Sequence, residues 1–168
     1  IYYMSHPMGV ASITWENGGS EDQVIAALLH DVCEDCGITP KALEKKFGKS
    51  VAQIVTDCSD SMGTANSEKA PWKKRKTNYL LHLKSVSAST LLVSLADKSH
   101  NLRAILRDHS MIGKKIWSRF NAKPKESSWY YQELNQVFQS RKNDFNSDSN
   151  SLLMEFDRLI SALALVSK

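Results

Sequence analysis

Four residues from three separate segments are of the types that hold a transition metal: His6, His30, Asp31 and Asp97. His6 stands between Ser5 and Pro7, ahead of a helix expected over residues 8–15. His30 and Asp31 end the apolar run 24–29, and Asp97 ends the run 90–96. An ionisable group closing a buried stretch is costly unless it is paired or bound to a metal, so each position calls for a partner. Imidazole nitrogen combined with carboxylate oxygen suits Mn, Fe or Zn far better than Ca and requires no thiolate. We therefore assign His6, His30, Asp31 and Asp97 as metal ligands.

Two more carboxylates follow. On a continuous helix, Glu34 stands four residues after His30 and three after Asp31, while Asp35 lies one turn beyond Asp31. Acidic groups near a helix C-terminus oppose its dipole, and such a local cost points to function. One carboxylate can deprotonate an attacking water, and the other can act as acid toward the leaving group if its neighbours raise its pKa. Glu34 and Asp35 are thus the catalytic candidates. Cys33 and Cys36 form a C-x-x-C around them, but with no second pair we read these thiols as packing rather than zinc or redox groups.

The elements that must position these residues are legible as helices. Ser20 and Gln23 form a capping box opening a buried helix that runs on through Asp35 and stops at Gly37. Thr39 and Pro40 start another as N-cap and first position, ended by Gly48, and a further helix carries Val51, Ile54 and Val55 on one face. Small polar residues mark a surface loop at 60–71. Beyond it, Trp72 and the basic run 73–76 open a helix with Tyr79, Leu80 and Leu83 inward. The apolar pattern from Thr90 continues through Leu102, Ile105 and Leu106 at helical spacing, and its length decides for helix over strand. Segments 117–120, 129–138 and 152–166 read as helical, with polar loops at 121–128 and 143–151. No strand alternation or repeat is present, so the expected class is all-α, a single helical bundle over residues 1–168.

With 168 residues, 42% hydrophobic and 24% charged, the chain has the composition of one globular domain and not of a disordered, collagen-like or disulfide-framework protein. Three Cys in no secreted pattern point to a cytoplasmic setting. No apolar run approaches membrane-spanning length. A net charge of +4 suits an anionic ligand and is too mild to argue for nucleic acid. Ile1 in place of an initiator Met leads us to expect residues upstream.

The segments Tyr3-Met4-Ser5-His6-Pro7, Leu29-His30-Asp31-Val32-Cys33-Glu34-Asp35 and Leu95-Ala96-Asp97-Lys98-Ser99-His100-Asn101-Leu102-Arg103 resemble the HD-domain hydrolases of guanosine tetra- and pentaphosphate, the RelA/SpoT-type alarmone hydrolases. The resemblance spans roughly residues 2 to 108, and the length suggests a small, hydrolase-only relative. Trp117-Ser118-Arg119-Phe120-Asn121 with Trp129-Tyr130-Tyr131 resembles a bacterial subset of such small proteins; by themselves these aromatics read as core. The resemblance implies an HD fold, one Mn ion at His6, His30, Asp31 and Asp97, and catalytic work by Glu34 and Asp35. It further implies a guanosine alarmone as substrate, its 3′-diphosphate released as pyrophosphate, with Arg75, Lys76 and Lys98 on the phosphates and Asn101 on the ribose or bridging phosphate. His100, one turn from Asp97, is expected to line the pocket. The family's Arg-Lys-Gly stretch before the first ligand His would fall upstream of Ile1. Two other readings stay open: an HD phosphohydrolase of another nucleotide, and a non-catalytic nucleotide sensor or nucleic-acid binder using the basic helix.

Overall fold

The computed structural model describes residues 3–60 and 70–168, so most of the segment expected as a surface loop lies outside the described residues. The first helix, α1 (Ser5–Glu16), begins earlier than the pattern predicts. Its residue Pro7 sits in the first turn, where a missing N–H does no harm. Val10, Ala11, Ile13 and Thr14 turn inward from it. The capping box of Ser20 and Gln23 forms as expected and opens α2 (Glu21–Leu29).

Here the structure departs from the sequence pattern. The helix does not run through to Asp35 but breaks at His30 and Asp31, and Asp31 caps a separate short turn, α3 (Val32–Asp35). Nor is α2 buried all round. Ala26 and Ala27 are inaccessible, whereas Leu28 is 41% exposed, because α2 lies along one side of the bundle against α1 and the long helix described below. Gly37 follows with φ of +66°, a left-handed conformation that ends the segment at little cost only for glycine.

Thr39 accepts from the Ala42 N–H and Pro40 takes the first position of α4 (Pro40–Phe47), which packs on α5 (Lys49–Cys58). After α6 (Trp72–Leu83) comes α7 (Ala88–Ile112), the axis of the fold. Every residue from Thr90 to Asp97 is buried, so this stretch is covered on all sides, as its unbroken apolar run requires. α1, α2, α5 and α9 (Ser147–Val166) all lie against it.

Between them, residues Gly113–Arg119 form a 3-10 helix and α8 (Pro124–Ser140) follows. The expected loops at 121–128 and 143–151 are therefore shorter than predicted. Pro124 starts α8 inside the first, and Asn146 caps α9 inside the second, accepting from the Ser149 N–H at 2.8 Å. One continuous apolar core joins Val10 of α1 to Leu163 of α9. Among the described residues there is no strand, and no helix is long and apolar enough to cross a membrane.

Candidate metal centre and adjoining cleft

His6 from the first turn of α1, His30 from the end of α2 and Asp97 from the middle of α7 converge. One ligand atom from each lies within 4.8 Å of the others. His6 Nε2 is 3.2 Å from His30 Nε2 and 3.2 Å from Asp97 Oδ1, and His30 Nε2 is 3.7 Å from Asp97 Oδ1. Donors bound about 2.1 Å from one ion at right or tetrahedral angles stand about 3.0–3.4 Å apart; both His6 separations fall in that range and the His30–Asp97 one lies slightly beyond it, so this nitrogen and oxygen set suits a divalent transition metal. Asp31 lies outside that three-residue group but beside it, with Oδ2 3.1 Å from His30 Nε2 and 3.8 Å from His6 Nε2.

The break after α2 explains how His30 is presented. Its Nδ1–H donates to the Ala27 carbonyl at 2.7 Å, which leaves Nε2 as the nitrogen that faces His6 and Asp97. Such a bond fixes the tautomer that a metal needs. Burial alone would depress this imidazole, but the Asp31 hydrogen bond and the charges of Asp97 and Asp31 push it up to about 9. Asp97 is buried too, yet Lys98 and the two imidazoles hold its carboxyl well below the usual range. Lys98 Nζ donates to Asp97 Oδ2 at 2.5 Å, and Asn101 Nδ2 donates to Oδ1 at 2.6 Å. The side chains expected on substrate phosphate and ribose thus also fix the orientation of Asp97.

His100 does not line the cleft beside Lys98 and Asn101. Its Nδ1 lies 2.9 Å from His6 Nδ1, and it borders a separate hollow with Ser5, Arg103 and Arg107. Burial and the neighbouring His6 hold its imidazole below the ordinary value. Sequence reasoning missed this supporting role.

It also missed Asp60. The Asp60 N–H donates to Glu34 Oε1 at 2.8 Å, while its carboxylate accepts from Arg75 and Lys76. The candidate catalytic carboxylate and the basic helix are tied through this one residue. Burial would raise the Asp60 pKa, but Lys76 and Arg75 hold it below the usual range. Lys76 is itself held below its ordinary value by burial and by Lys98, despite Asp60. A cationic cluster of this kind favours the arrival of further negative charge. Burial and the nearby Asp35 carboxylate push the Tyr3 phenol up to about 12.

Arg75, Lys76, Lys98 and Asn101 all line one cleft of about 340 Å³, whose far wall comes from residues 119–131. Tyr130 and Tyr131 serve both as core and as lining of this cleft. Cys33, Cys36 and Cys58 carry free thiols, and none belongs to the three-residue metal group.

Several known proteins resemble this chain in sequence and fold. A guanosine-3′,5′-bis(diphosphate) 3′-pyrophosphohydrolase, MESH1 of Xenopus tropicalis, is 38% identical over 107 residues, covering 62% of this chain and 56% of its own. The bifunctional (p)ppGpp synthase/hydrolase SpoT of Escherichia coli K12 is 33% identical over 105 residues, 61% of this chain and 15% of its own. The chain thus spans about half the length of the animal relatives it matches. A crystal structure of a Listeria monocytogenes EGD-e protein superposes with a TM-score of 0.78 at 26% identity, covering 94% of this chain and 97% of the other. A metazoan SpoT ortholog described as hydrolysing ppGpp gives 0.68 at 23% identity, covering 93% and 80%, and shows the shared fold. Residues 1–126 match the HD domain family, and with that match extending over most of the sequence the chain belongs to it.

Proposed function

We propose that this protein is a cytoplasmic, Mn-dependent pyrophosphohydrolase that removes the 3′-diphosphate of guanosine tetra- or pentaphosphate, with residues 1–168 working as one unit. The observation that carries this reading is the direct contact of Lys98 with Asp97, which joins a buried nitrogen and oxygen metal group to a cleft lined by Arg75, Lys76 and Asn101. His6, His30 and Asp97 would hold the ion, with Asp31 completing the set from beside His30. When bound, a divalent cation supplies Lewis-acid polarisation of a phosphate oxygen and lowers the pKa of water.

The chain's own residues account for the rest. Glu34, oriented by the Asp60 N–H, accepts the proton of the attacking water. The water oxygen bonds to the phosphorus next to the ribose as the bond from that phosphorus to the 3′ oxygen breaks, and Asp35 returns a proton to the 3′ oxygen. Arg75, Lys76 and Lys98 neutralise the phosphates, and Asn101 spans from Asp97 to the ribose. The products are GDP or GTP and pyrophosphate.

Incubation of Mn-loaded protein with guanosine tetraphosphate, followed by product identification, tests this directly. GDP and pyrophosphate are expected, and GTP lacking a 3′ substituent survives. Orthophosphate release, or a clean preference for simple 5′-nucleotides, would favour an HD phosphohydrolase of another nucleotide.

A further inference from the structure

The C-x-x-C motif flanks Glu34 and Asp35, and packing accounts for only half of it. Cys33 is half-buried and packs against the core, whereas Cys36 is exposed, and both thiols are free. The turn that holds them is loosely anchored. No residue of α3 (Val32–Asp35) is fully buried, while on α7 every residue from Thr90 to Asp97 is. Gly37 follows Cys36 in open space, where an added methyl group would meet nothing within 4 Å.

Cys36 still belongs to the helical turn. Its N–H donates to the Val32 carbonyl at 3.1 Å, as the Asp35 N–H does to the Asp31 carbonyl at 2.9 Å. Helical geometry therefore puts the Cα atoms of Cys33 and Cys36 about 5 Å apart, inside the range of about 4.4–6.8 Å that a disulfide spans. The Cβ atoms fit less well. Residues three apart on a helix hold them about 5–6 Å from each other, and a disulfide needs about 3.5–4.5 Å. Closing the bridge thus tightens the turn by about 1 Å or more, and Glu34 and Asp35 are the residues inside the ring.

We propose that Cys33 and Cys36 form a reversible disulfide that displaces Glu34 and slows the reaction proposed above, on which that last consequence rests. The oxidant is of the class of low-molecular-weight disulfides, with oxidised glutathione as the probe. Cys36, the more accessible thiol, loses its proton to solvent, attacks one sulfur of the small disulfide and releases the other as a thiolate that takes up a proton. Cys33 then loses its proton, attacks the Cys36 sulfur and expels the second small thiol. The protein gives up two electrons and two protons, and one small disulfide becomes two thiols. Strain in the bridge favours its reduction, as reversal by cellular thiols requires. Glu34 registers the change because its Oε1 accepts from the N–H of Asp60, a residue outside the ring, at 2.8 Å.

The test exposes the Mn-loaded full chain to oxidised glutathione. Intact mass and non-reducing peptide mapping should show the loss of two hydrogens and a bridge joining Cys33 to Cys36, with Cys58 still free. Hydrogen exchange at the Asp60 amide should speed up on oxidation and slow again with dithiothreitol, since its bond to Glu34 protects it. Turnover of guanosine tetraphosphate should fall about 10- to 100-fold in kcat with little change in KM, the scale of a catalytic group moved by about 1 Å. Cys36→Ser should work at the wild-type rate and resist the oxidant, which separates the bridge from general oxidative damage. A product that stops at glutathione on Cys36, a bridge from Cys33 to Cys58, or a bridged protein with unaltered Asp60 exchange overturns the proposal. A bridge with faster Asp60 exchange, in a protein that releases no pyrophosphate even when reduced, upholds the displacement of Glu34 and defeats the proposed reaction, so the two readings fail separately.

Discussion

His100 Nδ1 lies 2.9 Å from His6 Nδ1, while the other nitrogen of His6 faces His30 and Asp97. The α7 histidine therefore backs the α1 histidine from behind. Room for it comes from Gly9: a methyl group there would stand 2.4 Å from two atoms of the His100 ring. In an ordinary helix Gly→Ala stabilises by about 1 kcal/mol. Here Gly9→Ala is expected to displace His100, loosen His6 and lower metal affinity by about tenfold, the lower end of the effect of losing such a supporting contact. Chelator competition measures it. Combining Gly9→Ala with His100→Ala should remove the clash and recover the helix stability but not the metal affinity. A Gly9→Ala protein with unaltered affinity would show that His100 does not position His6.

Asp97 accepts from Lys98 and Asn101 and also stands within reach of both imidazoles. Asp97→Ala should abolish metal retention and turnover together, and it should destabilise the fold by about 3–5 kcal/mol because Lys98 is left as a buried, uncompensated cation. Asp97→Asn keeps the volume and separates the two effects, with metal lost and less stability forfeited. Stoichiometric metal in purified Asp97→Asn protein, by elemental analysis, would count against the ligand assignment.

Glu34 and Asp35 sit on α3, beyond the break that follows His30. Glu34 accepts from the Asp60 N–H, and neither carboxylate belongs to the three-residue metal group. Glu34→Gln and Asp35→Asn should therefore retain metal while slowing turnover by about two or more orders of magnitude, the scale of a positioned acid or base. If either substitution empties the site, that residue is a ligand and the division of roles fails.

Much of this arrangement is legible in the amino-acid sequence, because it depends on local signals. Ser20 with Gln23, and Thr39 with the Ala42 N–H just past Pro40, mark helix starts by hydrogen bonds that involve only near neighbours. The run through Thr90 and Asp97 reads as a buried helix from its apolar content alone. Features set by distant partners stay hidden. The break at His30 goes with a side chain turned back onto the Ala27 carbonyl and toward His6 across the bundle, which helical periodicity does not register. His100 is only three residues from Asp97, yet that rotation carries it to α1 instead of the cleft. Asp60 reads as the start of a polar loop, since its partners Arg75 and Lys76 are 15 and 16 residues away. The starts of α8 and α9 are a different case: Pro124, Asn146 and Ser149 are capping residues by type, but the polar composition around them reads as loop.

Asp60 gives the protein a defined acid sensitivity. Burial opposes its charge, but Lys76, Arg75 and Lys98 outweigh burial and hold its folded pKa below the unfolded value. A carboxylate shifted downward contributes stability that is fully present above its unfolded pKa, about 3.9, and is lost as pH falls through the lower folded value. Asp60→Asn keeps the backbone N–H that Glu34 uses and removes only the charge facing Arg75 and Lys76. Urea unfolding of wild type and variant should show a stability gap that is constant from neutral pH down to about 5 and closes below about 4. The gap should also narrow only weakly with added salt, because the three groups are largely shielded from solvent. A gap independent of pH would mean that Asp60 acts through packing alone and that the link between Glu34 and the basic helix carries no charge.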